Sequence, residues 1–191
     1  MNINEYITTY LDETRQIVNL LDTNALEKSI KILKDLQKNE GRLFILGVGG
    51  GAGHASHAVN DFRKIAGIET YAPTDNVSEL TAWVNDVGWE VVFVNWLKTS
   101  RLQSRDILLI FSVGGGSEHT SKNLVNAINY AKEIGSKMIA VVSRDGGYAG
   151  KNADAVVLIP VVSQERITPH CEGWQAVVWH LLVNALVMTN E

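Results

Sequence analysis

Two pairs of residues in this chain have side chains and spacings that suit metal binding or acid–base chemistry. His57 and Asp61 are four residues apart, so on a helix they share one face, one turn apart. Glu172 and His180 are eight residues apart, which separates them by two turns and roughly 80° around a helix axis. Imidazole nitrogens and carboxylate oxygens are ligands of zinc and similar divalent metals. Spacing alone leaves open that His57 and Asp61 form a surface pair or a capped core histidine.

His180 lies in an apolar stretch, because all the remaining residues from 176 to 183 are apolar. A titratable side chain in such a helix is either satisfied by one structural partner or functional. His119, in the first turn of a predicted helix, and His170, just before the last predicted helix, are expected to be solvated. The five tryptophans are expected to form core or subunit contacts.

Two segments share one layout, in which a short apolar run is followed by a glycine-rich turn and then a helical pattern. They are residues 43–53, LFILGVGGGAG, and residues 107–117, ILLIFSVGGGS. A helix start offers unpaired N–H groups and the positive end of a dipole, and glycine lets the backbone approach a ligand closely. Ser112 and Ser117 flank the second glycine cluster, where they suit either phosphate binding or turn formation, with Ser117 as a helix N-cap. The two loops predict a ligand with a phosphate or several hydroxyls.

The elements that position these residues alternate between strand and helix after two N-terminal helices. The break between those two helices is predicted at Asp22–Asn24, where a new cap begins. Continuous apolar strands indicate a parallel sheet covered on both faces, with ligands bound outside its carboxyl edge where strand order reverses. The predicted strands lie near 42–47, 68–72, 107–111, 137–142 and 155–159, and the later helices near 53–66, 76–84, 88–99, 117–133 and 171–188.

Composition favours one soluble domain that acts on a small molecule. The chain has 191 residues, 46% of them hydrophobic, a net charge of −4 and one cysteine, Cys171. We therefore expect a single domain over residues 1–191, no nucleic-acid partner and a reducing, cytoplasmic location. No signal pattern opens the chain, and its best apolar stretch, 176–188, is interrupted by His180 and Asn184, so no membrane association is expected.

The ordered set of motifs resembles the SIS (sugar isomerase) family and, within it, the sedoheptulose-7-phosphate isomerases. The resemblance runs over essentially the whole chain. Its motifs are the G-x-G-G loop at Gly47–Gly50, Ala55-Ser56-His57, the segment 75–82, Asn85-Asp86, the loop Ser112–Ser117, Arg144-Asp145-Gly146-Gly147, and the pair Glu172 and His180.

This resemblance implies a flavodoxin-like three-layer sandwich with a five-stranded parallel sheet, preceded by two N-terminal helices. It also implies a homotetramer with active sites between subunits, in which residues 1–40 serve oligomerisation and residues 41–191 form the α/β core. The implied reaction converts sedoheptulose 7-phosphate to a heptose 7-phosphate through an enediol(ate), for surface-polysaccharide synthesis. One zinc ion per subunit is implied, with His57, Asp61, Glu172 and His180 as its ligands.

The same resemblance assigns the remaining roles. Asp61 and His180 would transfer the protons, although a metal ligand is poorly placed to act as a free base. Glu172 would also contact the substrate. The phosphate would be held by Gly49, Gly50, Gly51, Ser112, Gly114, Gly115, Gly116 and Ser117, and the sugar chain by Asp75, Asn85 and Asp86.

Several positions depart from the family pattern. Asp61 stands where the family has Glu, and Glu172 where it has Gln, so two carboxylates would balance a divalent cation and we expect tighter metal retention with weaker Lewis acidity. Gly51 replaces a serine and Val48 an asparagine, and the usual S-T-S-G-N-S loop reads SVGGGS. Because hydroxyl donors are lost, two alternatives remain open: a non-catalytic SIS module that binds or senses sugar phosphates, and an isomerase of a different sugar phosphate.

Overall fold

The computed structural model describes residues 1–188 and has a five-stranded, all-parallel sheet in the order β2-β1-β3-β4-β5. The strands follow the apolar runs of the sequence, and β1 and β3 are buried along their whole length. They are β1 Leu43–Gly47, β2 Thr70–Tyr71, β3 Ile107–Phe111, β4 Lys137–Val142 and β5 Ala155–Leu158.

Eight α-helices surround the sheet in the described part of the chain. They are α1 Ile3–Leu20, α2 Thr23–Lys38, α3 Gly50–Lys64, α4 Val77–Asp86, α5 Val92–Thr99, α6 Lys122–Ile134, α7 Gly147–Asn152 and α8 Ile167–Met188. The predicted break between α1 and α2 is confirmed, because the Asp22 side chain caps α2 by accepting a hydrogen bond from the Asn24 N–H. None of the helices is long and apolar enough to cross a membrane.

Successive side chains along each strand point to opposite faces of the sheet, which divides the core into two layers. Ile45, Leu109 and Val141 pack on one face with residues of α2, α3 and α8. Phe44 and Ile110, on the other face, pack with residues of α5, α6 and α7. The three-layer α/β architecture predicted from the sequence is therefore confirmed.

The sheet also brings the two glycine loops together. Strand β1 lies between β2 and β3, so strand order reverses at β1, and Gly47 at its end is in register with Phe111 of β3. A Cβ on Gly51 would lie 2.6 Å from the Phe111 carbonyl oxygen, so this close approach of the two loops requires glycine. The loops thus share the switch point at the carboxyl edge.

Three local predictions were wrong. The hydroxyl of Ser117 accepts hydrogen bonds from the N–H groups of His119 and Thr120 and closes a turn, so α6 begins only at Lys122 and Ser117 is not its N-cap. For the same reason His119 lies in this loop rather than in a helix. The last helix, α8, begins four residues before the predicted start, which places His170 inside it. In addition, β4 is followed by the short helix α7, which the sequence did not predict.

Candidate functional site

Three of the predicted metal-binding residues meet where α3 and α8 pack together. The Oδ2 atom of Asp61 lies 3.3 Å from Nδ1 of His180 and 3.7 Å from Nε2 of His57. One potential ligand atom from each residue lies within 4.8 Å of the others. The two imidazoles are about half exposed, whereas the Asp61 side chain is 8% exposed. This group combines a buried carboxylate with two accessible histidines and fits a divalent metal.

Two neighbours fix the carboxylate of Asp61. The indole Nε1 of Trp179 donates a hydrogen bond to Oδ2 at 3.1 Å, and the side-chain amide of Asn60 donates to Oδ1 at 3.0 Å. Trp179 is itself buried in the core. Because both oxygens are engaged, Asp61 is held in one orientation toward the histidines.

Glu172, the predicted fourth ligand, lies outside this group. Its position is about 12 Å from that of His180 along the axis of α8, since eight residues separate them at about 1.5 Å each. The carboxyl group lies against the first glycine loop, where a Cβ on Gly50 would come within 2.5 Å of it. The structure therefore places Glu172 at the glycine loops rather than in the histidine cluster.

A cavity of about 380 Å³ lies between the two glycine loops, the turn after β4 and α8. This volume suits a small phosphorylated sugar. Of the predicted binding residues, Gly51, Ser112, Gly114, Gly116, Ser117 and Glu172 line it. Sequence reasoning did not assign the other lining residues, which are Val48, Val113, Thr120, Ser121, Arg144, Asp145, Thr168 and Gln175.

The remaining predicted binding residues do not line this cavity. Gly49, Gly50 and Gly115 belong to the same loops. Gly115 allows a close approach of two backbone segments, because a Cβ on it would lie 1.8 Å from the Gly146 carbonyl oxygen. Asp75 accepts a hydrogen bond from the Ser56 hydroxyl. Asn85 donates to Asp86 at the exposed end of α4. Within one chain, the predicted sugar-binding residues Asp75, Asn85 and Asp86 are therefore separate from the cavity.

A further histidine connects the cavity to the cluster. Nδ1 of His54 lies 2.9 Å from Oε1 of Gln175, and the His54 ring packs against Trp179 with 5.2 Å between centroids. Gln175 is fully buried and lines the cavity. The position of His54, about one helical turn before His57, was the available signal for its place in the site, and the sequence analysis did not use it.

His170 is buried, not solvated as predicted. Helix α1 covers it, so that its Nε2 lies 2.8 Å from Oε2 of Glu13 and its ring stacks on Tyr10. Arg166 donates two hydrogen bonds to the same carboxylate. The hydrogen bond from Arg166 is the largest cause that lowers the pKa of Glu13 from 4.5 to about 2, with His170 adding to it. This network joins α1 to the start of α8 and has a structural role.

Comparison with known proteins agrees with this fold and gives its family. The sequence profile of the SIS domain matches residues 5–143. The lincomycin biosynthesis protein LmbN of Streptomyces lincolnensis is 31% identical over 92% of this chain, which spans 66% of LmbN. A phosphoheptose isomerase of Helicobacter pylori is 28% identical over 85% of this chain and 82% of its own length. The solved structure of phosphoheptose isomerase GmhA from Neisseria gonorrhoeae matches with a TM-score of 0.82 at 22% identity, covering 98% of this chain and all of that one.

Proposed function

The chain belongs to the SIS domain family, and from that premise we propose that it is an aldose–ketose isomerase that converts sedoheptulose 7-phosphate to a heptose 7-phosphate. The observation that carries the proposal is the Asp61–His57–His180 cluster, which His54 and Gln175 connect to a cavity framed by two glycine loops. Relatives named phosphoheptose isomerase support the choice of substrate. The chain is thus a sugar-phosphate isomerase.

The reaction moves two hydrogens within the sugar. A proton leaves C1 of the ketose and a proton is returned to C2, while the carbonyl and hydroxyl exchange places through an enediol(ate). This requires a base, an acid and a positive charge near the developing oxyanion.

We assign the proton transfers to His180 and Asp61 acting as a pair. The imidazole is half exposed, whereas Asp61 is buried and hydrogen-bonded at both oxygens. His180 therefore carries the proton to and from the sugar. Asp61 holds the imidazole in orientation and balances its charge when it is protonated.

One zinc ion per subunit would be held by His57, Asp61 and His180. His180 would have to leave the ion to transfer a proton, because a coordinated imidazole is not a free base. When bound, the zinc ion would supply Lewis acidity that polarises the sugar oxygens. Glu172, at the glycine loops, would contact sugar hydroxyls within the cavity. Backbone N–H groups of the loops, with Ser112 and Ser117, bind the phosphate.

The assembly is a homotetramer with sites between subunits. Helix α1 leaves a row of large apolar side chains at least 47% exposed, Ile3, Tyr6, Ile7, Leu11, Val18 and Leu20. A surface of this kind is typical of a subunit interface. In the assembly, α4 and the short turn before it bring Asp75, Asn85 and Asp86 to the site of a neighbouring subunit. Residues 1–40 act as the oligomerisation elements of a single domain.

The substrate assignment is tested by measuring turnover across a panel of sugars. We expect isomerisation of sedoheptulose 7-phosphate and none of unphosphorylated sedoheptulose. Turnover of a different sugar phosphate, and not of sedoheptulose 7-phosphate, would support an isomerase but contradict the proposed substrate. Stabilisation by sugar phosphates without turnover, with or without zinc, would favour the non-catalytic SIS module, for which the missing loop hydroxyls argue.

A further inference from the structure

Arg144 has a backbone conformation that arginine rarely adopts. It follows Ser143 directly after β4, and its φ of 57° lies in the left-handed region. Residues in such conformations are concentrated at functional sites, where the surrounding structure imposes them.

The turn that carries Arg144 is fixed to the second glycine loop and to β5. The N–H of Ser143 donates to the Val113 carbonyl at 3.0 Å, and its hydroxyl donates to the Ile159 carbonyl at 2.8 Å. A Cβ on Gly147 would lie 2.0 Å from the Gly114 carbonyl oxygen, which shows how closely the two loops pack. The turn is therefore held rigidly at the edge of the cavity.

Arg144 is the one cationic side chain among the residues that line the cavity in the described chain. The lining of the cavity also includes two carboxylates, those of Asp145 and Glu172. Asp145 accepts a hydrogen bond from the N–H of Gly147 at 3.2 Å, within its own turn. No hydrogen bond or ion pair of the Arg144 guanidinium is found within residues 1–188, so its donors are available to a ligand.

From these observations we propose that Arg144 is the residue that selects the phosphate end of the substrate. Without it, two carboxylates would make the cavity repel an anion. The cavity lining also offers hydroxyls, at Ser112, Ser117, Thr120, Ser121 and Thr168. Each hydroxyl supplies one uncharged donor, so Arg144 is the group of this lining, within the described residues, that supplies positive charge. A guanidinium binds phosphate through charge-assisted, paired hydrogen bonds. This inference rests on the proposed phosphorylated substrate.

The test compares Arg144→Gln, Arg144→Gly and Arg144→Lys with Arg101→Gln. Arg101 is a matched control, because it is also an exposed arginine with positive φ, 53°, and does not line the cavity. Glycine favours this backbone conformation, so Arg144→Gly removes the charge without straining the turn. Binding of inorganic phosphate is measured by calorimetry, and KM and kcat by turnover.

We expect Arg144→Gln and Arg144→Gly to weaken phosphate binding and raise KM by about 10- to 100-fold, the loss typical of a hydrogen bond to a charged group. The change in kcat should be smaller, Arg144→Lys should lie between, and Arg101→Gln should match the wild type. Equal phosphate affinity in wild type and both neutral variants, or no binding by the wild type, would overturn the role. If phosphate binding depends on Arg144 but no sugar phosphate is turned over, the inference stands and the isomerase proposal fails.

Discussion

The indole N–H of Trp179 donates to the carboxylate of Asp61 at 3.1 Å, joining two residues 118 positions apart in the chain. This bond crosses from α8 to α3 and is buried. It fixes the carboxylate that, within residues 1–188, approaches both His57 and His180. The geometry of the candidate centre therefore depends on a core tryptophan as well as on its polar residues.

Replacing Trp179 with Phe should loosen this centre while keeping the ring in the core. Loss of a partner that orients a metal ligand typically weakens metal affinity by about 10- to 100-fold. Leaving a buried acceptor without its donor should lower stability by about 1–3 kcal/mol. Zinc affinity and the free energy of unfolding are the measurements.

Trp174→Phe is the matched control, since Trp174 lies on the same helix in the same core layer. It should leave zinc affinity unchanged. Equal zinc affinity in both variants and the wild type would mean that the Trp179 bond does not support the metal site.

Metal content tests the ligand group directly. Protein purified without chelator should contain near-stoichiometric zinc or a similar first-row metal by elemental analysis. His57→Ala should lose it, because it removes one of three side-chain donors, whereas His119→Ala, in the exposed loop before α6, should retain it. Wild-type protein that carries no metal and whose melting temperature does not change on adding zinc would contradict this site.

The network around Glu13 predicts a pH-dependent contribution to stability. Arg166 holds the pKa of Glu13 at about 2 in the folded chain, below its ordinary 4.5. A lowered folded pKa stabilises the fold fully above the unfolded pKa and loses this effect as pH falls through the folded value. Glu13→Gln should therefore destabilise the protein at pH 7, by about 3–5 kcal/mol for a broken buried pair.

The difference between Glu13→Gln and wild type should shrink as the pH falls from about 4.5 to about 2, measured by denaturant unfolding. Asp12→Asn is the control, because Asp12 on the same helix pairs only with exposed Arg15. It should have little effect at any pH. A Glu13→Gln difference that stays constant across this range would contradict the assigned pKa.

The exposed apolar row of α1 predicts the oligomeric state. Light scattering should give about four times the chain mass of 21.0 kDa. Leu11→Glu should dissociate the assembly by placing a charge in the interface, and Ile65→Glu, an exposed apolar position after α3, should not. A wild-type monomer at micromolar concentration would exclude sites shared between subunits.

The sequence predicted the sheet and the common location of the glycine loops because both depend on local patterns. Continuous apolar runs predict buried parallel strands, and such strands must end at one edge. The position of Glu172 outside the histidine cluster and the burial of His170 were not predicted, because their surroundings come from distant segments, the first glycine loop and α1. Helix α7 was missed because two of its six residues are glycines, which weaken any helical pattern.

The role that we propose for Arg144 could not be predicted from its own sequence neighbourhood. Arg144-Asp145-Gly146-Gly147 reads as a turn, and only the packing of that turn against Gly114 brings the guanidinium to the cavity. The same holds for Trp179, whose apolar neighbours predict a core residue and give no indication of a hydrogen bond to Asp61. Long-range contacts of this kind decide which of several candidate residues form the site.

The most direct test of the account is turnover of sedoheptulose 7-phosphate by wild type and by His180→Gln. Glutamine keeps much of the size and hydrogen bonding of histidine but does not transfer protons, and loss of a general acid–base group typically lowers the rate by about 10²–10⁴. We predict measurable wild-type turnover, a loss of that size in kcat, and a melting temperature close to that of wild type. A folded His180→Gln variant with wild-type kcat would contradict the central claim.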